Sequence, residues 1–438
     1  MVTKENELVS LPSIISELAV KLSDLKFVSQ VFDKGSYWNS TSLSEGYTGH
    51  LLFFAAMQEE ESKYEQIVHQ CVLAIKGELE TKGLSNLSMF TGATGIAFSL
   101  QQASDNGKKY QKMIETLHDF IFKGIESTYM KPLSHNINMK RSSDPTLYDV
   151  VSGLSGVGGY FLENLSDPQF EKGSYQIANL LVDFCNTKIP IGGCNVPGWH
   201  LTPDTIYGHA LFKSGNGSFN LGLAHGITGV LSFLSIAYLK GVQVEGQKEA
   251  IQKVSSWIRE WSINYEKTIQ WPYHISWEEE TGLHPPLGES SREGWCYGVP
   301  GIARVLFLAG KALSDHDLKE FSIKAFLQLF NRSSKEWGLQ NSALCHGLSG
   351  ILLTSKLMSK EEGGQELNQK IQDMEKELLS SYNPNLLFGF DDQEQDRIFE
   401  YDKLAHPGFL EGVTGILLPL LPITETTNKW YLPLMIHG

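Results

Sequence analysis

The chain has 438 residues, of which 41% are hydrophobic and 20% charged, a composition typical of a globular protein with a large core. Its net charge of −14 argues against unspecific nucleic-acid binding, which requires a basic surface. Residues 1–22 lack the uninterrupted apolar region of a secretory signal, and no stretch is long enough to span a membrane. We therefore expect a cytoplasmic protein whose membrane association is at most peripheral.

A Gly-x-x-Gly element followed by an apolar run occurs seven times and defines seven repeats. The pairs of repeats one to seven are Gly46/Gly49, Gly92/Gly95, Gly153/Gly156, Gly226/Gly229, Gly298/Gly301, Gly347/Gly350 and Gly412/Gly415. The runs after the glycines are apolar on nearly all sides, which is typical of buried helices. Amphipathic helical spacing is found before the first pair, at 11–28, and between pairs, for example at 64–75, 251–261 and 367–378.

Seven buried inner helices that alternate with seven half-buried outer helices predict an all-α protein, a closed α/α toroid formed by residues 1–438 as one domain. An open solenoid is the competing architecture, but it needs polar capping faces that neither end of the sequence supplies. The first glycines of repeats three and four are 73 residues apart, and those of repeats four and five are 72 residues apart, more than elsewhere. There, residues 188–219 predict a small inserted β-containing subdomain, and residues 271–294 a long loop.

Inner helices that run in the same direction place all seven glycine elements on one rim. On that rim, Cys296, Cys345 and His346 form a plausible zinc site, because thiolate and imidazole suit Zn²⁺ and three protein ligands leave one position open. An open site with two thiolates favours a thiol substrate over water activation. The alternative for each residue alone is ordinary packing; Cys71 and Cys185 are expected to be buried hydrophobes.

Further polar residues of the same rim are candidates for proton transfer. His225 has the titration range of a general acid or base, Asp149 would orient it, and Arg292 would pair with Asp149 or stabilise an enolate oxygen. Helix capping by Asp149, a structural ion pair of Arg292 and a satisfied core histidine are the competing interpretations. Trp295 and Tyr297 are either substrate walls or packing residues.

Three motifs resemble the signatures of the LanC family of lanthionine synthetases, which includes the nisin and subtilin cyclases. They are Gly-Leu-Ala-His-Gly at 222–226, Trp-Cys-Tyr-Gly at 295–298 and Cys-His-Gly at 345–347. The resemblance implies an α/α toroid that holds one Zn²⁺ on Cys296, Cys345 and His346. It also implies catalytic roles at His225, Asp149 and Arg292, with Trp295 and Tyr297 nearby.

The activity implied by the resemblance is the addition of peptide cysteine thiols to dehydrated Ser or Thr residues, which closes thioether rings in a lantibiotic precursor. A dehydratase and an export transporter are the implied partners. Three other functions stay open at this point: a thiol- or peptide-binding protein without turnover, a zinc prenyltransferase, and a toroidal glycosidase. The glycosidase would use paired carboxylates such as Glu45 and Glu411, which precede the glycines of repeats one and seven.

Overall fold

The computed structural model describes residues 11–32, 39–205, 215–288, 292–339, 341–390, 407–423 and 428–438. Within these ranges, every first glycine of a repeat is the N-cap of a buried helix. These inner helices are α3 (Tyr47–Glu60), α5 (Ala93–Gln102), α8 (Leu154–Leu162), α10 (Ile227–Leu239), α13 (Val299–Leu313), α15 (Leu348–Met358) and α17 (Val413–Leu417). The predicted buried helices are therefore confirmed.

The outer layer consists of amphipathic helices that each bury one face against the inner layer. They are α1 (Leu11–Ser23) with α2 (Leu25–Phe32), α4 (Glu65–Lys82), α6 (Gln111–Ile125), α9 (Pro168–Asn186), α11 (Gln247–Glu260), α14 (His316–Leu329) and α16 (Leu367–Ser380). A short helix, α7 (Lys131–Asn138), follows α6 through one π turn at Glu126–Met130.

The single helix predicted for residues 11–28 is wrong in one respect, because the structure divides it into α1 and α2. Asp24 stands between them, and its carboxylate accepts the backbone N–H of Phe27 at 2.9 Å. An aspartate that bonds the backbone three residues later starts a new helix, so α2 begins directly after this residue.

Backbone hydrogen bonds join each repeat to the next and close the ring. In every case the donor lies just before the glycine pair of one repeat and the acceptor just before that of its neighbour, with N···O distances of 2.9 to 3.3 Å. The pairs are Leu43–Phe90, Phe90–Val151, Val150–Ala224, Leu223–Cys296, Cys296–Cys345, Cys345–Leu410 and Leu410–Ser44. Since the last bond returns to repeat one, the predicted closed toroid is confirmed and the open solenoid is excluded.

The second glycine of each pair lets neighbouring repeats approach this closely. A Cβ atom on Gly49 would lie 2.6 Å from Leu43 O and 3.0 Å from Cβ of Phe409 in repeat seven. Any larger side chain would therefore push repeats one and seven apart where the ring closes.

Short strands occupy the long segments around repeat four. β1 (Lys188–Ile191) and β2 (Cys194–Pro197) form an antiparallel hairpin, and β5 (Ile263–Tyr265) pairs with β6 (Thr268–Gln270). A third, three-stranded sheet has the order β3-β4-β7. Its strands are β3 (His200–Leu201), β4 (Ser218–Asn220) and β7 (His274–Ser276). The predicted β-containing insertion is thus confirmed, while its treatment as a subdomain at 188–219 stays a prediction.

The prediction of a loop at 271–294 is wrong for part of that segment. β7 lies there and pairs with β4 of the inserted region, and it leads into the short helix α12 (Trp277–Glu280). The sheet therefore ties together two segments that the sequence pattern treated separately. None of the helices that the structure describes is long and apolar enough to cross a membrane.

Residues 428–438 enter the interior of the ring. The backbone carbonyl of Leu434 accepts the indole N–H of Trp295 at 2.8 Å, and that of Ile436 accepts Nε of Arg304 at 2.7 Å. Leu434, Met435 and Ile436 are at most 1% exposed. This axial segment fills space that the inner helices alone leave open.

Candidate metal centre and proton-transfer site

Seven side chains stand at equivalent positions of the rim, each immediately before the first glycine of its repeat. We call them the rim residues; they are Glu45, Thr91, Ser152, His225, Tyr297, His346 and Glu411. Because the backbone just before each of them is bonded to the next repeat, rim residues that are consecutive in the repeats are neighbours around the ring. His225, Tyr297 and His346 are thus placed side by side although 121 residues separate the first from the last.

The three predicted zinc ligands come together on this rim. One donor atom each from Cys296, Cys345 and His346 lies within 4.8 Å of the others. The backbone N–H of Cys296 donates to Cys345 O at 3.1 Å, which brings the loops of repeats five and six into register. Cys345 and His346 converge although adjacent, because they lie in the turn before α15 rather than inside the helix.

The surroundings of this cluster favour a thiolate. The Cys345 thiol, then His346 and the Arg292 guanidinium, hold the pKa of Cys296 well below its usual range, against the opposing effect of burial. Cys296 is 4% exposed and His346 3% exposed. Two sulfurs and an imidazole nitrogen at this spacing form a donor set that suits Zn²⁺.

His225 and Asp149 form a hydrogen-bonded pair beside the cluster. His225 Nδ1 lies 2.7 Å from Asp149 Oδ2, and the histidine side chain is 19% exposed whereas the aspartate is buried. Asp149 Oδ1 also accepts the backbone N–H groups of Ser152 and Gly153 at 2.6 and 2.8 Å. Asp149 therefore orders the turn that leads into α8 and orients the imidazole, but it does not cap α8, whose N-cap Gly153 has no side-chain cap hydrogen bond.

This pairing determines which nitrogen of His225 carries the proton in the neutral ring. A carboxylate only accepts hydrogen bonds, so Nδ1 of the ring carries the proton that it shares with Asp149. In the neutral ring, Nε2 is then the basic atom. The preceding residue, Ala224, donates its N–H toward Cys296 O at 3.4 Å, so the histidine stands next to the predicted zinc ligands.

Arg292 lies between the cluster and the inserted sheet. The Cys345 thiol and His346 lower the pKa of Cys296 more than the charge of Arg292 does. The backbone N–H of Arg292 donates to the hydroxyl of Tyr273 at 3.0 Å. The residue is half-buried. Its backbone is thus anchored to the segment that leads into β7.

Trp295 and Tyr297 flank Cys296 but lie in different surroundings. Trp295 is completely buried, packs its ring 5.9 Å from that of Phe90 and donates its indole N–H to the axial segment. Tyr297 is half-buried on the rim, and its hydroxyl accepts a hydrogen bond from Asn220 at 3.0 Å. The structure therefore places Trp295 in the ring interior and Tyr297 on the rim, and a catalytic role for either residue stays a prediction.

Two asparagines that the sequence motifs do not single out also lie at the site. Asn220 contacts Tyr297, and Asn341 Nδ2 lies 3.3 Å from Nε2 of His346. Both stand six residues before the first glycine of their repeat, as Asn86 does in repeat two. That recurrence is visible in the sequence and would have pointed to them.

Glu45 and Glu411 are rim residues of adjacent repeats, one and seven. Burial, followed by the charge of Glu411, raises the pKa of Glu45 to about 7. The pKa of Cys345 is raised chiefly by its hydrogen bond with Cys296 and by burial, and to a smaller extent by the charge of Glu411. The carboxylates thus belong to the same rim as the cluster rather than to a separate catalytic cleft.

Comparisons with known proteins agree with this architecture. The family model of lanthionine synthetase C-like proteins matches residues 37–435. The nisin biosynthesis protein NisC of Lactococcus lactis subsp. lactis is 26% identical over 394 residues, which span 89% of this chain and 87% of that protein. A solved structure of nisin cyclase has a TM-score of 0.77 at 23% identity and covers 96% of this chain and 97% of its own, a likeness that shows the fold.

The family match extends over the inner helices, the rim residues and the cysteine–histidine cluster, so it includes every motif on which the resemblance rested. The glycosidase alternative is at odds with this match, and its carboxylate pair is accounted for as part of the rim. The chain belongs to the lanthionine synthetase C-like family, as its three motifs predicted.

Proposed function

We propose that this lanthionine cyclase works with one zinc ion held by Cys296, Cys345 and His346. The observation that carries the proposal is the convergence of these three donors within 4.8 Å, two of them thiols. Four-coordinate zinc with three protein ligands keeps one position for a substrate atom. A peptide cysteine is the substrate group that suits such a position.

Zinc in this site would lower the pKa of the peptide thiol and so supply a thiolate at neutral pH. Side chains of the protein then accept and return the proton of the thiol. His225 Nε2 accepts the proton that leaves the sulfur, while Asp149 holds Nδ1 and stabilises the imidazolium that forms.

Ring closure is an addition in which the peptide sulfur bonds to the β-carbon of dehydroalanine or dehydrobutyrine. The electron pair of the carbon–carbon double bond moves toward the adjacent amide carbonyl and gives an enolate. His225 returns the proton to the α-carbon, so the product has the same mass as the substrate. Arg292 and the Tyr297 hydroxyl are the groups that stabilise the enolate oxygen.

The substrate class follows from this chemistry. It is a precursor peptide that carries both free cysteines and dehydrated Ser or Thr residues, so a dehydratase must act first and an export transporter takes the modified peptide. We propose that the protein works in the cytoplasm, in a biosynthetic complex that can lie at the membrane.

The proposal is tested with purified, zinc-loaded protein and a chemically dehydrated precursor peptide. Because ring closure does not change mass, the products are treated with a thiol-alkylating reagent before mass spectrometry. Loss of alkylated cysteines with time, dependent on zinc, is the expected result. Peptide binding with no loss of thiols would favour a non-catalytic binding protein, and transfer of an isoprenoid to the thiol would favour a prenyltransferase.

A further inference from the structure

Asn220 is a buried polar residue at the point where the inserted sheet meets the rim. It ends β4, is 1% exposed and lies five residues before His225. Its Oδ1 accepts the backbone N–H of Gly222 at 2.8 Å. Because a backbone N–H can only donate, this contact determines which end of the amide is oxygen and directs the NH₂ group the other way.

The NH₂ group of Asn220 donates to the hydroxyl oxygen of Tyr297 at 3.0 Å. An amide nitrogen cannot accept a hydrogen bond, so the tyrosine proton must point to another partner. Tyr297 is half-buried and lies on the rim between His225 and His346. Its proton is therefore available to a group bound at the rim.

The aromatic ring of Tyr297 is held by packing against Gly222 and Tyr273. A Cβ atom on Gly222 would lie 2.7 Å from Cδ1 of Tyr297, so the aromatic ring packs directly on the backbone of the Asn220 turn. The ring of Tyr273 lies on it as well, with centroids 5.0 Å apart. The turn that begins at Asn220 therefore sets both the place of the ring and the direction of its hydroxyl.

We infer that Asn220 is a positioning residue of ring closure, which holds the Tyr297 hydroxyl as a hydrogen-bond donor to the carbonyl oxygen of the dehydrated residue. The inference rests on the proposed function, because it assigns a partner to the tyrosine proton in that reaction. Asn220 does not touch the substrate; it acts through Tyr297.

The repeats provide an internal comparison for this role. Asn86 occupies the same place in repeat two, and its Oδ1 accepts the N–H of Ser88 at 2.9 Å in the same kind of turn. Its NH₂ group faces Ser85 and Thr91 instead of a tyrosine. The turn is thus common to both repeats, whereas the contact with a rim phenol belongs to repeat four.

The test replaces the NH₂ group and keeps the turn. Asn220→Asp retains an oxygen for Gly222 but offers a second acceptor to Tyr297, which draws the phenol proton away from the substrate. Asn220→Ser keeps a turn-forming oxygen, adds no charge and is too short to reach the phenol. We expect both variants to close rings about 10- to 100-fold more slowly at unchanged zinc content, as misplaced catalytic groups do.

A double-substitution cycle decides whether the effect passes through the tyrosine. Tyr297→Phe should lose a similar factor, and Asn220→Ser in the Tyr297→Phe background should lose no more. The matched control, Asn86→Ser, should cyclise at the wild-type rate. A further, independent loss in the double variant, or an equal loss in the Asn86 control, would overturn the role assigned to Asn220.

A second readout does not depend on turnover. With carbon-13 at Cζ of tyrosine, the resonance that disappears in Tyr297→Phe reports the hydrogen bonding of that phenol. It should move in Asn220→Ser and stay in place in Asn86→Ser. An unmoved resonance would contradict the inference even if ring closure is slow, whereas a wild-type protein that closes no rings would count against the proposed function.

Discussion

At the scale of single residues, the cysteine–histidine cluster supports the sharpest prediction. Cys345→Ala removes one of three donors, so we expect zinc content to fall from about one ion per chain to near zero and ring closure to stop. Metal analysis of the purified variant and the alkylation assay measure the two effects. Cys194→Ala is the control, because Cys194 is exposed and lies outside the cluster. Full ring formation by the Cys345 variant would disprove the proposed centre.

His225 supports a second prediction, in which the rate of ring closure falls but the zinc content does not. Its imidazole is paired with Asp149 and is not one of the three clustered donors. His225→Ala should therefore keep its zinc and lose roughly 10²- to 10⁴-fold in the rate of ring closure, the usual contribution of a general acid–base group. Metal content and single-turnover rates are compared in the same preparation. If zinc disappears with the histidine, the assignment of proton transfer is wrong.

At the scale of elements, the loop that begins repeat five links two regions. Cys296 faces the rim, while its neighbour Trp295 donates to the axial segment at Leu434. Consecutive residues of one loop thus join the cysteine–histidine cluster to residues 428–438. The hydroxyl of Ser232 and Nε of Arg304 also donate to carbonyls of that segment, so repeats four and five both depend on it for buried hydrogen bonds.

Removal of this segment should destabilise the ring strongly. A chain that ends at Pro433 leaves the buried donors of Trp295, Ser232 and Arg304 without acceptors, at roughly 1–3 kcal/mol each. We expect the free energy of unfolding in urea to fall by several kcal/mol. A chain that ends at His437 is the control, because it loses one exposed contact, between Lys311 and Gly438. Equal stability of the two truncated chains would refute the role of the axial segment.

At the scale of the whole molecule, closure of the ring brings together residues that no local pattern relates. It also buries titratable groups inside the inner helices. Burial lowers the pKa of His50, in α3, from its ordinary 6.5 to about 4. Its Nδ1 lies 3.2 Å from the carbonyl oxygen of Gly46, and the ring is completely buried.

This histidine predicts a loss of stability in mild acid. Below pH 6.5 the unfolded chain binds a proton at His50, but the folded chain does not until about pH 4. The contribution of the neutral histidine is thus complete above pH 6.5 and is lost as the pH falls toward 4. Between pH 7 and pH 5 this amounts to about 2 kcal/mol.

Urea unfolding at both pH values measures the effect. His50→Gln, which cannot titrate, should show a dependence on pH that is shallower by about that amount. The exposed His135 is the control site, and His135→Gln should keep the wild-type dependence. An unchanged dependence in the His50 variant would show that acid acts elsewhere in the molecule.

Much of the fold could be predicted because the evidence for it is local and repeated. Each inner helix begins at a glycine pair and is apolar on nearly all sides. Both features can be read from the local sequence without knowledge of long-range contacts. Asp24 shows the limit of predicting helices from periodicity. This single capping residue divides a segment that the apolar spacing predicted as one helix. β7 shows it again, because its partner β4 lies more than 50 residues away.

The sequence by itself determined the seven repeats, the rim on which they meet, and the cysteines and histidines that gather there. These follow from residue types at equivalent positions, which need no knowledge of long-range contacts. Only the tertiary structure decided that Trp295 packs inward while Tyr297 stays at the rim, and that Asn220 holds its hydroxyl from 77 residues away. The side chains of an irregular loop follow no period, so their directions are set by the neighbours that the closed ring brings to them.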